Sequence, residues 1–406
     1  MNELFTKLWS REWVRRAVLV LLTLMALVSL VQGIRNAVEF SQDFQWDAAK
    51  AFTMRINPYD ESMHPGGIPD AYGFGDYYLQ MEANQFPSLL MLLIPYTFLP
   101  PLAARYAWIV SNLLFTAGIV FLLRKTFLRT ADKDIFAVFM LLMIAGTPYR
   151  NQLGVGQHTL FAFFFFLLAV WSDTQKDRRA AFAGTVLCLF VCYFKYTLTV
   201  PLCLYFVYRK RYAQIAVSVF MHVILTAVSA WWLGDSFINM LIKPLKVSSA
   251  LAAEGGLDFG ALLGGSPFAY VLAFAVMVFL LILSVMLGRM KQTQDKNDSD
   301  NAAYERMMND PAGNELISVL ILWSLIITYH RTYDFFVMVT VLAFYLAKER
   351  SLFLKAGYGV VTAAVFFGLR LFSESIPSKI VVGILYYAFT LTVTGIVVSG
   401  LLKDMK

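Results

Sequence analysis

Residues 266–288 read SPFAYVLAFAVMVFLLILSVMLG, and no charged side chain interrupts them. As a helix this run is long enough to cross the roughly 30 Å of hydrocarbon in a bilayer. Runs at 17–34, 102–123, 211–233, 352–372 and 379–402 have the same quality. Shorter apolar runs lie at 85–99, 134–149, 157–172, 181–194, 197–208, 314–329 and 332–347. They are short for simple spans and predict tilted, broken or re-entrant helices, which lipid tolerates only where protein or a water-filled cavity surrounds them. The fold class expected is an all-α polytopic membrane protein: one integral membrane domain over 1–406, a bundle of about 11–13 transmembrane or re-entrant helices.

Composition agrees. Of 406 residues, 59% are hydrophobic and only 15% are charged, against about 25% charged in soluble proteins; mean hydropathy is +0.62. So little charge excludes a soluble enzyme, a disordered chain and a nucleic-acid-binding protein. The net charge of +7 comes from short basic clusters between apolar runs, as positive-inside anchoring requires. Cys188, Cys192 and Cys203 fall in apolar stretches and predict packing residues, with no disulfide. The stretch Gln32-Gly33-Ile34-Arg35 is a poor signal-peptidase site, so the first apolar run is expected to remain as a helix.

The clusters Lys7–Arg16, Arg124–Lys133, Lys176–Arg179, Arg209–Arg211, Arg289–Lys296, Lys348–Lys355 and Lys403–Lys406 read as cytoplasmic, together with a loop at about 289–313. The termini are then cytoplasmic, in a plasma membrane. Outward loops are expected at about 36–84 and 234–265, with shorter ones at 150–156, 329–332 and 373–378. Two apolar runs lie between the loop ending near Asn84 and the cluster at Arg124, where one crossing is required. Either 85–99 is re-entrant, or 181–208 crosses once and two basic loops break the rule.

Most ionisable and polar residues inside or beside the apolar runs gather at outward ends: Asp43 and Asp47, Gln85, Arg150, Gln157 and His158, His330 and Arg331, Asp334, and Arg370. Charges at bilayer depth are costly and mark functional sites by default. Asp43 and Asp47 are one turn apart on an expected helix, where Ser41 or Asp43 could equally serve as an N-cap. Asn57-Pro58-Tyr59-Asp60 ends that helix, and Gly66-Gly67 with Gly73-Phe74-Gly75 marks a mobile segment, a candidate lid. Bland readings stand beside these: snorkelling for Lys195, interfacial anchoring for Arg370, solvation for His64, packing for His222, and a helix cap for His158. The phenylalanines in Phe161–Phe166 are expected to face lipid.

The order Asp43-Phe44-Gln45-Trp46-Asp47-Ala48-Ala49, Asn57-Pro58-Tyr59-Asp60, Phe86-Pro87, Gly156-Gln157, Lys195 and Tyr329-His330-Arg331-Thr332-Tyr333-Asp334 resembles the multi-spanning GT-C glycosyltransferases, glycosyltransferase family 87 above all. The resemblance runs from about residue 17 to 350 and implies a GT-C-like bundle with a helical first outer loop. It implies a mannosyltransferase-like enzyme of glycan biosynthesis that moves a sugar, mannose or similar, from a polyprenyl-phosphate donor to a hydroxyl of a glycan or glycolipid acceptor, outside the membrane and with inversion. The family often has Asn where His158 stands and Pro where Tyr196 stands, which leaves the sugar open.

The resemblance places the general base at Asp43, with Asp47 one turn along. Cations for the departing phosphate are Lys195, His330, Arg331 and Arg370. Asp334, four residues after His330, is expected on the same helix face to orient it; Gln157 and Tyr333 would bind sugar hydroxyls, and Trp46 and His158 complete the substrate-facing set. No cofactor is expected. Asp43 and Asp47 are spaced more widely than the acidic pair with which some GT-C enzymes bind a divalent metal, so no metal is expected either. The competing class is a transporter or flippase of a lipid-linked saccharide, which broken helices and buried charges also suit; no internal repeat supports it.

Overall fold

The computed structural model describes residues 9–59, 83–252, 256–295, 310–348, 350–368 and 376–405. It is 82% helix and contains no strand among those residues. The main helices are α1 Glu12–Glu39, α2 Trp46–Thr53, α3 Pro87–Thr97, α4 Pro101–Lys125, α5 Lys133–Ala145, α6 Thr147–Gly154, α7 Thr159–Ser172 and α8 Arg178–Cys192. They continue as α9 Tyr196–Leu202 (prolonged by Leu204–Tyr208), α10 Tyr212–Leu233, α11 Phe237–Ala252, α12 Phe268–Asp295, α13 Pro311–Ile327, α14 Thr332–Ala347, α15 Leu352–Gly368 and α16 Ile376–Asp404. Among the described residues, six stretches are long and apolar enough to cross a membrane by length and composition. Val31, Leu114 and Phe274 stand more than half exposed on three of them, as expected of side chains whose solvent is lipid.

Most passes join two ends of one bundle. At one end Arg15 pairs with Asp134 at 3.3 Å; Lys125, Asp173, Arg209 and Asp310 line one small cavity; and Lys348, Arg350 and Lys403 line another. The described parts of these basic clusters thus gather at a single basic end. The other end holds Asp43, Gln157, Lys195 and Arg331 around a cavity. The hairpin α13–α14 runs through the middle, its Leu320, Ile321, Phe336 and Val337 fully buried.

Two features settle the parity question. Arg178–Leu202 qualifies as one span by length, yet the chain turns back inside it. Phe194 packs on His158 and Phe161 at the start of α7, Phe206 packs on Phe166 further along, and Arg209 pairs with Asp173 just beyond its end. The chain therefore climbs in α8, reverses at Tyr193–Lys195 in a turn of 3-10 helix, and descends in α9. Segment α3 is the re-entrant one. Its Ser88 hydroxyl bonds the ring of His222, midway along α10, whereas Tyr96 and Thr97 give their carbonyls to Trp46 and Lys50 back at the cavity end.

Several expectations are corrected. Helix α2 begins only at Trp46, because Gln45 holds the left-handed conformation at φ 61°. Asp43 lies in the loop before it, and Asp43 and Asp47 do not share a helix face. Neither Ser41 nor Asp43 caps the helix; the Ser41 hydroxyl donates to the Ala37 carbonyl at 2.6 Å. Phe163 and Phe166 are fully buried, packed on Phe336 and Phe206 rather than on lipid. His222 is the packed histidine expected, stacked on Phe190 and bonded through both ring nitrogens. The three cysteines are buried and unpaired. Arg370, His64, Asp60, the glycine-rich stretch 66–75 and residues 373–375 of the expected loop 373–378 lie outside the described residues, whereas 376–378 already belong to α16.

Candidate functional site

The site is assembled where the chain breaks its helices. α6 and α7 meet at 108°, and the corner is Gly156-Gln157-His158. Gly156 sits at φ +70°, and a Cβ there would come to 3.2 Å from the Ser41 hydroxyl, so the position demands glycine both for its backbone angle and for the close approach of the first loop. That loop is tied to the corner by the Asp43 amide, which donates to the Val155 carbonyl at 2.8 Å. The Trp108 indole closes the corner from α4, donating to the Gly156 carbonyl at 2.8 Å.

Gln157 is the hub that results. Its amide donates to Asp43 Oδ2 at 3.1 Å and to the Tyr333 hydroxyl at 2.9 Å. Its own Oε1 accepts the His158 amide at 2.8 Å. Asp43, Gln157, Lys195, Arg331 and Tyr333 then line one cavity of about 70 Å³. Burial is the main reason the Asp43 carboxyl is pushed up to about 6; Lys195 and Arg331 pull it down, and Asp334 adds to the rise. A carboxyl balanced in that range can hold or release a proton near neutral pH.

Behind the cavity lies a closed ionic cluster. Asp334 and His330 have no exposed surface. His330 Nδ1 stands 2.7 Å from Asp334 Oδ2, the Thr159 hydroxyl donates to Oδ1, and Lys195 Nζ lies 3.5 Å from Oδ2. Asp334 is thus the counter-charge that keeps an ammonium at the cavity wall. The His330–Asp334 contact is not made along a helix face as expected. Residues 328–331 are non-helical and α14 starts at Thr332 as a 3-10 helix, so the contact bridges a turn. Gly256 allows that turn to be packed closely: a Cβ there would lie 2.5 Å from the His330 carbonyl.

The sequence-derived candidates therefore divide. Asp43, Gln85, Gln157, Lys195, Arg331 and Tyr333 come together at the cavity. His330 and Asp334 stand behind it, with Asp334 holding the Lys195 ammonium at 3.5 Å. Trp46 is buried with its indole donating to the Tyr96 carbonyl, and Asp47 is buried in α2; neither lines the cavity. The His158 ring packs between Trp108 and Phe194, with Nε2 on the Phe44 carbonyl at 3.1 Å, and fastens the loop rather than facing substrate. Additional lining comes from Asn84, Tyr196, Thr197, Ser248 and Tyr329. Of these Tyr329 carried a sequence signal through its motif and Tyr196 as a departure from the family pattern; the others are neutral residues at element ends. Among the described residues no group of three His, Cys, Asp or Glu side chains converges as metal ligands would.

Fold and site define a polytopic, all-helical membrane protein with one charged cavity built from broken helices at one end of its bundle. The family model of glycosyltransferase family 87 matches residues 87–304, more than half of the chain. The chain belongs to that family and is a membrane glycosyltransferase. The matched stretch holds Gln157, Lys195 and the α6–α7 corner, while Asp43 and the 329–334 motif lie outside it. No curated protein and no solved structure matches the chain.

Proposed function

We propose that this enzyme transfers a sugar, mannose or a similar one, from a polyprenyl phosphate to an acceptor hydroxyl, with inversion at the anomeric carbon. The observation that carries the reading is the meeting of one carboxylate, Asp43, with two cations, Lys195 and Arg331, on the wall of one cavity. The acceptor oxygen attacks the anomeric carbon, and the new C–O bond forms as the bond to the phosphate oxygen breaks. The electron pair leaves with the lipid phosphate, whose growing charge Lys195 and Arg331 stabilise. The acceptor proton passes to Asp43. Asp334, bonded by Thr159 and His330, keeps the Lys195 ammonium in place. Gln157 and Tyr333 hold Asp43 and offer hydrogen bonds to sugar hydroxyls.

The basic clusters gathered at the opposite end support a cavity that faces outward from the cytoplasm, in a plasma membrane. The bilayer supplies the donor's tail, and the acceptor is a glycan or glycolipid; the reaction as drawn needs no metal. Purified protein given a polyprenyl-phosphate sugar and a hydroxyl acceptor is expected to form the glycoside. Asp43→Asn should lower turnover by about 10²–10⁴-fold with an unchanged melting temperature. Full activity in Asp43→Asn would remove the base and, with it, the mechanism.

A further inference from the structure

A second cavity, of about 560 Å³, lies at the basic end between the α13–α14 hairpin and α16. Its walls carry Lys348, Arg350 and Lys403 together with Glu315, Asp404 and an apolar stretch of α16 that includes Leu391 and Ile396. The charges are unevenly matched. Arg350 is joined to Glu315 and stacked over Phe344 at 4.3 Å, so that pair is neutral and fixed. Lys348 and Lys403 have no carboxylate partner among the described residues, and Asp404 is the one remaining acid on the wall. Among its described wall residues three cations stand against two acids, a net positive charge.

Its shape is that of a chain-and-headgroup site. Thr392, Gly395, Ser399 and Lys403 follow one face of α16, a helical stripe of about 16 Å at 1.5 Å per residue. A Cβ on Gly395 would meet nothing within 4 Å, and one on Gly400 would meet only the Lys348 ammonium at 3.8 Å. Among the described residues, none approaches this face closely at Gly395. The stripe runs from an apolar wall at Leu391 to the cations at Lys348 and Lys403, and so follows the depth profile of a phospholipid from acyl chain to headgroup.

We infer that this groove binds an anionic phospholipid of the basic-end leaflet, its phosphate between Lys348 and Lys403 and an acyl chain along Gly395 and Ile396. The site lies at the far end of the bundle from the Asp43 cavity and is independent of the reaction proposed there.

Native mass spectrometry of the intact protein tests it, with phosphatidylglycerol and phosphatidylcholine of identical chains as probes and inorganic phosphate as competitor. Phosphatidylglycerol should be retained about tenfold more strongly than phosphatidylcholine, and Lys348→Gln with Lys403→Gln should erase that preference. Gly395→Leu should displace the lipid while leaving both lysines in place. Millimolar inorganic phosphate should not compete, because it lacks the chain. Equal retention of the two lipids by the wild-type protein overturns the inference without recourse to any variant. So does carbodiimide cross-linking of Lys348 or Lys403 to a carboxylate elsewhere in the chain, which would make the occupant protein.

Discussion

The two ends of the bundle each bury an ionic cluster, and they dispose of their charges differently. At the basic end Asp173 accepts Arg209 at 3.0 Å and Arg211 at 2.5 Å. Asp310 accepts the Tyr208 hydroxyl at 2.7 Å and the Gly313 amide at 3.0 Å, with Arg209 at 3.9 Å. Donors and acceptors there are satisfied by each other, and the cluster joins the ends of α7, α9 and α13. At the cavity end Asp334 is saturated in the same way, but it holds Lys195 only at 3.5 Å and from one side. Lys195, Arg331 and Asp43 keep a face on the cavity. One cluster is a closed clamp; the other leaves its charges open to a cavity.

The sharpest way to break this contrast is to remove one cation from each end. Arg209→Gln leaves two buried carboxylates short of their shared partner, and severing a buried pair costs about 3–5 kcal/mol. That is a large share of a typical folding free energy, so yield and melting temperature should fall steeply. Turnover per folded molecule should survive. Lys195→Gln is the counterpart: Asp334 keeps Thr159 and His330, so stability should change little, while under the proposed mechanism turnover should fall by about 10²-fold through loss of a cation at the departing phosphate. Thermal melting and steady-state kinetics on both variants check the pair. A stable but inactive Arg209→Gln, or an unfolded Lys195→Gln, would exchange the roles of the two ends.

The acid limb of the pH profile sharpens the same point. As the proposed base, Asp43 acts only when ionised, and its pKa is raised to about 6. Activity should therefore level off above about pH 6 and fall tenfold for each unit below it. Lys195 is the largest influence holding that value down, so Lys195→Gln should move the limb to higher pH. Arg209→Gln should leave the limb where it is. A profile that ignores Lys195 would detach it from Asp43.

Much of this architecture was legible in the sequence, since hydropathy and basic clusters report directly on which segments meet lipid and which stay in water. The pairing of Lys195 with Asp334 was not: the two short runs 181–194 and 197–208 could cross once or turn back, and only the reversal at Tyr193–Lys195 brings Lys195 beside Asp334. Re-entry of α3 was one of two open readings, decided only by the contacts of Ser88 and Tyr96. The kinship of Asp43 and Asp47 was misread for a local reason: one left-handed residue, Gln45, delays the helix past Asp43. Neutral lining such as Ser248 and Thr197 carries no signature, for a hydroxyl at a helix end means nothing until the fold shows what it faces.

The smallest effect is expected where charge is paired near water. Asp235, between α10 and α11, accepts Lys243 at 2.6 Å, Asn239 at 2.7 Å and Asn57 at 3.0 Å. These bonds, Lys243 first, lower its carboxyl to about 2. A lowered carboxyl adds stability above its unfolded value near 3.8 and loses it as pH falls toward 2. The gain is small, because near the surface screening and side-chain entropy hold such pairs to about 0–1 kcal/mol. Asp235→Ala should therefore speed backbone hydrogen exchange at the start of α11 at neutral pH, lower the melting temperature slightly, and leave turnover intact. Below about pH 3 the variant and the parent should converge. A loss comparable to that of Arg209→Gln would mean that burial is not what separates these clusters, and the ranking of clamp, site and surface pair would have to be rebuilt on another basis.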